Sequence, residues 1–158
     1  MRSNMKYALY ALFLGLVVAG FAACKKSSTS PSGTSGTGKT FYCKLNGKEF
    51  ETANGRFYKT PIGDGSIQIV GDTTFTTIEI YLPKPDAGTY ALKNTVPEQG
   101  TVFINDGSKL YKSESGEVKV TKSDGSTMSG TFKYTAKSTA GETMEVTEGE
   151  FNNIPLKP

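Results

Sequence analysis

Apolar and polar residues alternate with a period of two along most of residues 40–158, and this pattern limits the possible folds more than any other feature. The alternation covers Thr40–Leu45, Ser66–Val70, Thr76–Leu82, Glu117–Lys122 and Met128–Lys137. A period of two places one face of a β-strand on a core and the other face in water. No segment of this region carries a helical apolar stripe. The sequence therefore predicts an all-β domain.

Turn dipeptides separate the alternating segments. They are Asn46-Gly47, Asn54-Gly55, Asp64-Gly65, Asp106-Gly107, Asp124-Gly125 and Ala140-Gly141. Such dipeptides supply the positive φ of tight hairpin turns. Pro83 and Pro85 end the strand at Leu82, and a phase shift at Gly149 indicates a bulge. We expect about nine or ten antiparallel strands in up-and-down order, forming a β-sandwich or a flattened barrel.

The first 23 residues have the layout of a secretory signal helix. Arg2 and Lys6 lead into residues 7–23, which carry no charge. This stretch ends in Phe21-Ala22-Ala23-Cys24, which resembles the lipobox of bacterial lipoproteins, with Phe21 where that motif usually has Leu. The resemblance implies cleavage before Cys24, a diacylglycerol on its thiol and a fatty acyl chain such as palmitate on its new amine. An uncleaved membrane anchor and plain secretion are the alternatives.

The sequence thus divides into a signal peptide (1–23), a lipidated Cys24 with a tether (24–39) and one β domain (40–158). Eleven of the fifteen residues from Lys25 to Lys39 are Ser, Thr or Gly, which predicts a disordered, flexible tether. Lys25-Lys26 after the cysteine resembles many lipoproteins of Bacteroidota. Surface-exported lipoproteins of several Bacteroidota carry acids just after the cysteine, whereas the first acid here is Glu49. By that resemblance the protein is anchored in the cell outer membrane and faces the periplasm.

Composition excludes several kinds of protein. The chain has no His and no Trp, and its two cysteines are Cys24 and Cys43. A Ser-His-Asp triad, a Cys-His pair and an imidazole metal ligand are therefore impossible. No Asp-rich calcium loop is present either, so we expect neither a metal nor a cofactor. Removal of residues 1–23 leaves 16 basic against 15 acidic residues, a net charge of +1, which gives no field for nucleic acid.

The remaining candidate catalytic groups are carboxylates and one thiol. Glu145, Glu148 and Glu150 cluster on the last predicted strand, and Glu79, Glu114 and Glu117 lie elsewhere; Asp64, Asp72, Asp106 and Asp124 fall at turns. The strand positions are outward and solvated, and turn aspartates cap their own backbone. Cys43 shares the inward face with Phe41 and Leu45 and lacks a histidine to activate it. We therefore predict no catalytic residue and no enzyme.

Aromatic side chains are the candidates for ligand binding. Phe41, Phe50, Phe132 and Tyr134 are expected in the core, whereas six others are expected to be partly exposed: Tyr42, Phe57, Tyr58, Tyr81, Phe103 and Tyr111. Aromatic faces suit sugar rings, and apolar barrels suit lipids. Tyrosine is also common on the wet face of strands, so the ligand-binding residues stay unknown.

Five segments occur in a characteristic order: Leu45–Phe50, Gly88–Leu92, Gly116–Thr121, Ser129–Ala136 and Val146–Pro155. Together they resemble an uncharacterised family of small Bacteroidota lipoproteins that is catalogued as a domain of unknown function. The resemblance implies fold and location and no activity.

We expect a membrane-anchored envelope protein with a non-catalytic binding or accessory role. Residues Thr95–Asn105 could supply an edge strand for an envelope protein partner; a mobile flap and an irregular connection are the alternatives. A module for a glycan, a lipid or another small ligand is the alternative function, and a hydrolase comes last.

Overall fold

The computed structural model describes residues 40–60, 65–104 and 109–158, which form eleven β-strands and no helix. The strands are β1 (Phe41–Leu45), β2 (Lys48–Thr52), β3 (Arg56–Lys59), β4 (Ile67–Asp72), β5 (Thr76–Leu82), β6 (Gly88–Ala91), β7 (Asn94–Thr95), β8 (Glu98–Ile104), β9 (Lys109–Ser123), β10 (Thr127–Ser138) and β11 (Thr143–Lys157). The prediction of an all-β domain is confirmed. The predicted signal helix and tether, residues 1–39, lie outside the described residues.

Seven of the strands close into a barrel. Their order is β3, β4, β5, β8, β9, β10 and β11, and β11 pairs with β3 to complete the ring. Closure removes free edges from these seven strands. The remaining strands extend the sheet: β1 and β2 lie beside β11, β6 pairs with β9, and β7 pairs with β8. The sequence left open whether the domain is a sandwich or a barrel, and the structure shows a barrel.

The strand order differs from the predicted up-and-down order. The last strand closes the ring against an early one, and the β3–β11 pair is parallel, with Leu156 opposite Phe57 and Lys157 opposite Tyr58. At fifteen residues, β11 is long enough to pair first with β1 and then with β3 along one edge. Alternation specifies the buried face of a strand but not its neighbour, and for this reason the sequence pattern missed this closure.

The dipeptide Asn54-Gly55 is not a hairpin turn, so that prediction is wrong. β2 and β3 do not pair, and Gly55 has no positive φ. The chain instead crosses the end of β11 at Gly55, where a Cβ would lie 2.7 Å from Ile154 Cγ2. The amide of Gly55 donates to Thr40 Oγ1 at 2.9 Å. Glycine serves close approach here rather than a turn conformation.

Other predicted turns are confirmed. Asn46 and Gly47 have φ of 47° and 79° and join β1 to β2. Gly125 and Gly141, with φ of 84° and 86°, lie between β9 and β10 and between β10 and β11. The left-handed region is accessible to glycine without a Cβ clash, so these positions fix the hairpins. Asp106-Gly107 lies outside the described residues.

The bulge predicted at Gly149 is also confirmed. Gly149 lies opposite Phe132 and Val146 lies opposite Tyr134, so two residues of β11 oppose one of β10. Glu148 takes a φ of 51° within the bulge. A Cβ on Gly149 would come within 2.5 Å of the Phe132 ring. The bulge therefore needs glycine for packing, and its neighbour adopts the unusual backbone angle.

Side chains fill the barrel interior. The Phe41 and Phe132 ring centroids lie 5.1 Å apart, and those of Phe132 and Phe151 lie 6.3 Å apart. The largest fully buried side chains are Phe41, Phe57, Phe151, Ile67, Ile69, Ile78, Ile80, Leu82, Met128, Ile154, Val102 and Val118. Burying each such side chain contributes about 1.5–3 kcal/mol, so this cluster is the main source of stability. The buried hydrophobic cluster as a whole also contains the four aromatic residues predicted for the core: Phe41, Phe50, Phe132 and Tyr134.

The segment Thr95–Asn105 is not an edge strand over residues Glu98–Ile104, which corrects the prediction. Most of it forms β8, which lies inside the ring between β5 and β9. β8 pairs with β9 from Thr101 to Ile104, and before Thr101 these two strands separate, with Ser113 in the gap. Its Oγ accepts a hydrogen bond from the Gly100 amide at 2.9 Å and donates to the Lys93 carbonyl. Pro97 misled the prediction because it lies in the β7–β8 turn and leaves the central strand free of proline.

Candidate functional site

The two cysteines differ in what the structure says of them. Cys24, the predicted lipid attachment residue, lies outside the described residues. Cys43 is fully buried on the inward face of β1. Burial raises the pKa of its thiol to about 12, because the thiolate cannot be solvated there. Cys43 is therefore a core residue and is unsuited to nucleophilic chemistry.

The glutamates named from the sequence point outward. Glu145 and Glu148 are exposed, and Glu150 is half-buried. Glu148 pairs with Lys44 at 2.8 Å, and Glu145 accepts a hydrogen bond from Thr135 at 3.2 Å. The other three are likewise exposed or half-buried: Glu79, Glu114 and Glu117. Among the described residues no three Asp, Glu, Cys or His side chains are grouped to hold a metal ion.

Two of the turn aspartates have structural partners. Asp124 accepts hydrogen bonds from the amides of Ser126 and Thr127 at 3.0 and 2.7 Å and from their hydroxyls at 2.8 and 2.9 Å. These donors stabilise the carboxylate and lower the pKa of Asp124 well below its usual range. Asp72 pairs with Arg56. Both acids hold turns and strand ends, and Asp64 and Asp106 lie outside the described residues.

Only some of the aromatic candidates for ligand binding reach the surface. Phe57 and Tyr111 are buried, which corrects their predicted exposure. Tyr42, Tyr58 and Tyr81 are half-buried, and Phe103 is 38% exposed. Among the described residues the most exposed aromatic is Phe75 at 71%, which the sequence interpretation missed. The available signal was its position in the Thr73–Phe75 connection, before the alternation of β5 begins.

The outer face of β4 and β5 carries a chain of polar side chains. Gln68 Nε2 donates to Tyr81 Oη at 2.9 Å, and Tyr81 Oη donates to Glu79 Oε2 at 2.9 Å. Partial burial, together with the negative charge of Glu79, raises the pKa of Tyr81 to about 12. Tyr81 therefore stays protonated and acts as a fixed donor and acceptor. The arrangement offers hydrogen-bonding groups on the sheet surface, and none of its three side chains is an activated nucleophile.

Thr101 lies beside this polar chain, on the outer face of β8. Its neighbours across the sheet are Glu79 on β5 and Lys112 on β9. The residue is only 3% exposed, and in the described part of the chain its Oγ1 has no hydrogen-bond partner. An unpaired buried hydroxyl costs free energy, so such groups are rare in folded proteins. Sequence alternation gave no signal for this residue, since it predicts an exposed position.

A groove of about 160 Å³ includes Lys112, the neighbour of Thr101 across the sheet, in its lining. It is lined by Asn94, Leu110, Lys112, Glu114, Lys137, Ser138 and Thr139. The lining includes positively and negatively charged side chains, and Lys137 Nζ lies 3.9 Å from Glu114 Oε1. The groove offers donors and acceptors to a small polar molecule. The groove lies on the outer side of the sheet, since Lys112 and Glu114 are exposed residues of β9.

Fold and site together define a class: a small all-β domain built on a closed seven-stranded barrel with a filled interior and a polar outer face. The chain belongs to the family described as "Domain of unknown function (DUF6252)", whose model matches residues 39–155. The match spans nearly the whole predicted β domain and confirms a family without an assigned activity. No curated protein and no solved structure matches the chain.

Proposed function

We propose that this chain is a lipid-anchored cell-envelope protein of Bacteroidota whose β domain has a non-catalytic binding or accessory role. The observation that carries the proposal is Phe21-Ala22-Ala23-Cys24 at the end of an uncharged stretch behind a basic start. In this proposal residues 1–23 are removed and Cys24 carries the lipid. Several acyl chains hold a protein on a bilayer where a single chain gives only reversible binding.

The domain supports a binding role over catalysis. Its one described thiol is buried, with a pKa of about 12, and the glutamates considered as catalytic groups lie on the solvated side of the strands. A catalytic acid or nucleophile must be reachable in a cleft, whereas Cys43 is enclosed in the core and these glutamates are exposed or half-buried on the outer side of the strands. The structured elements available to a partner are instead the outer faces of the sheet. The described residues contain no helix with the length and apolar character to cross a bilayer.

The proposed location is the outer membrane, with the domain on the periplasmic side. No acidic residue occurs between Cys24 and Glu49, so the chain lacks an acidic cluster beside its lipid. Lys25 and Lys26 would lie next to the headgroups, where each basic residue contributes about 1 kcal/mol on an anionic surface.

The anchor is tested by expressing the full chain in a lipoprotein-processing bacterium fed an alkyne fatty acid. We expect the label on the mature protein, partition into detergent, and an intact mass that begins at lipidated Cys24. Cys24→Ala should abolish all three results. Cys43→Ala is the matched control, because it removes the only other cysteine and should keep the label. Labelling of Cys24→Ala, or cleavage at another residue, would reject the anchor.

A small polar ligand, such as a glycan, is the second candidate, and Thr101 favours it. A bound hydroxyl or carbonyl group would supply the partner that Thr101 Oγ1 lacks, once the side chains that cover it move. A thermal-shift screen of the mature protein against glycans tests this directly. A ligand at 100 times its dissociation constant raises stability by about 2.7 kcal/mol. We expect a saturable shift that Thr101→Val and Lys112→Ala reduce; a shift that survives both variants places the ligand elsewhere.

A further inference from the structure

Three apolar residues occupy neighbouring positions at one end of the barrel. Phe75 occupies the turn between β4 and β5 and is 71% exposed. Phe103, at 38% exposed, lies opposite Thr77 on β5, and Leu110 lies opposite Phe103 on β9. Phe75 precedes Thr77 by two residues, so the three positions adjoin one another across three strands. We call Phe75, Phe103 and Leu110 the apolar rim.

The turn that carries Phe75 has no charged residue from Thr73 to Thr77. Thr73 closes it: the Thr73 amide donates to the Thr76 carbonyl at 2.9 Å, and Thr73 Oγ1 accepts from the Thr76 amide at 3.2 Å. The nearest charged side chain on β4, Asp72, is paired with Arg56. The main cost of moving a turn into an apolar medium is the burial of unpaired charge. This turn carries no such charge.

The chain enters the domain at the same end of this part of the sheet. Thr40 Oγ1 accepts from the amide of Gly55, directly before β3. Because β3 and β4 are antiparallel, the start of β3 lies beside the end of β4, which leads into the Phe75 turn. The Phe41 ring, next to Thr40 in the chain, packs directly on the backbone of β4 at Gly71, where a Cβ would clash with the ring. The first described residue and Phe75 are thus close in space.

We propose that the apolar rim inserts into the bilayer surface to which Cys24 anchors the chain. The proposal rests on the lipid anchor proposed above. Fifteen residues separate Cys24 from Thr40, a span of at most about 50 Å when fully extended. A segment of this length holds its point of attachment near the membrane and gives the rim a high effective concentration of lipid. Aromatic side chains favour the boundary between headgroups and acyl chains, and an uncharged turn can enter it.

The exposed apolar residues of the rim are not by themselves an argument for membrane insertion, because single exposed apolar residues are common on soluble proteins. The argument for insertion is the position of the rim near the chain entry. Val96 is also exposed, at 50%, but it lies in the β7–β8 turn, at the opposite end of β8 from Phe103. One domain on one tether thus presents two exposed apolar sites, and we expect the site near the chain entry to be the one in contact with lipid, because its attachment point keeps it nearer the membrane.

The absence of tryptophan from the sequence makes the test direct. Phe75→Trp and Val96→Trp each introduce a single fluorophore at an exposed position, where neither should disturb the core. Each lipidated protein is reconstituted in phosphatidylethanolamine and phosphatidylglycerol vesicles, with or without brominated acyl chains. We expect Phe75→Trp to show blue-shifted emission that brominated lipid quenches, because an interfacial apolar surface lies about 5–10 Å deep. Val96→Trp should show neither change.

Vesicle flotation separates failure of the anchor from failure of this proposal. If the wild-type protein does not float with the vesicles, the lipid anchor is wrong. If it floats while the Phe75→Trp emission stays unshifted and unquenched, the anchor stands and membrane insertion of the rim is refuted. A blue shift without quenching by brominated lipid also refutes insertion, because the rim would then be covered by protein, such as a second copy of the chain. Equal quenching of both variants refutes the orientation.

Discussion

Replacing Thr101 with valine should make the protein more stable. Thr101 is 3% exposed, and within the described residues its Oγ1 has no hydrogen-bond partner. A buried polar atom without a partner costs about 1–3 kcal/mol in lost hydration. Valine keeps the branched shape and replaces the hydroxyl by a methyl group, so no cavity forms. We expect Thr101→Val to raise the free energy of unfolding by about 1–2 kcal/mol.

Thr52→Val is the matched control, since it makes the same chemical change at another buried strand position. Thr52 is 9% exposed, and its Oγ1 accepts a hydrogen bond from the Asn54 amide at 3.0 Å. Removing this hydrogen bond should lower the free energy of unfolding by about 0.5–1.5 kcal/mol. The same substitution is therefore expected to have opposite signs at the two positions.

Equilibrium unfolding in urea at 25 °C, followed by circular dichroism, measures both effects. The midpoint should rise for Thr101→Val and fall for Thr52→Val, with unchanged slopes. A loss of stability in Thr101→Val comparable to that of Thr52→Val would refute the reasoning, because it would mean that the Thr101 hydroxyl is satisfied in the folded protein. A gain combined with weaker ligand binding would mark Thr101 as a residue that binds at the expense of stability.

Three further outcomes are expected. Gly130→Ala should cost about 2–3 kcal/mol in the same urea assay, since a Cβ there would lie 2.3 Å from the Lys119 carbonyl oxygen and 2.5 Å from the Phe151 ring; an unchanged midpoint would refute the close approach. Cys43 should react with a thiol reagent at pH 8 only as the protein unfolds, because its pKa is about 12; fast labelling of the native protein would contradict its burial. The folded-state pKa of Asp124 lies below its ordinary value of 3.8, so its stabilising contribution is present above that pH and is lost as the pH falls. The stability difference between wild type and Asp124→Ala should therefore narrow between pH 5 and pH 3, and a constant difference would disprove the assignment.

Local alternation predicted the faces of the strands well. Phe41 and Cys43 are buried, whereas Glu79 and Tyr81 lie on the outer face, as the period of two requires. Asn46-Gly47 predicted its hairpin because a two-residue turn depends on the conformations of those two residues alone. Asn54-Gly55 failed for the complementary reason. The role of Gly55 is set by Ile154, a residue far away in sequence that no local pattern can bring beside it.

The candidate site on the outer face shows the same limit more sharply. Alternation places Thr101 on the wet side of β8 and therefore predicts a solvated hydroxyl. Its burial depends on the sheet register, which sets Glu79 on one side and Lys112 on the other. That register follows from closure of the ring, in which β5 skips β6 and β7 to pair with β8. In a stable fold, local sequence pattern, burial and hydrogen bonding usually agree. Thr101 is an exception, because its position in the pattern predicts exposure but its hydroxyl is buried without a partner among the described residues. Such an exception persists where another requirement maintains it, so the outer face around Thr101 is the first place to look for a ligand.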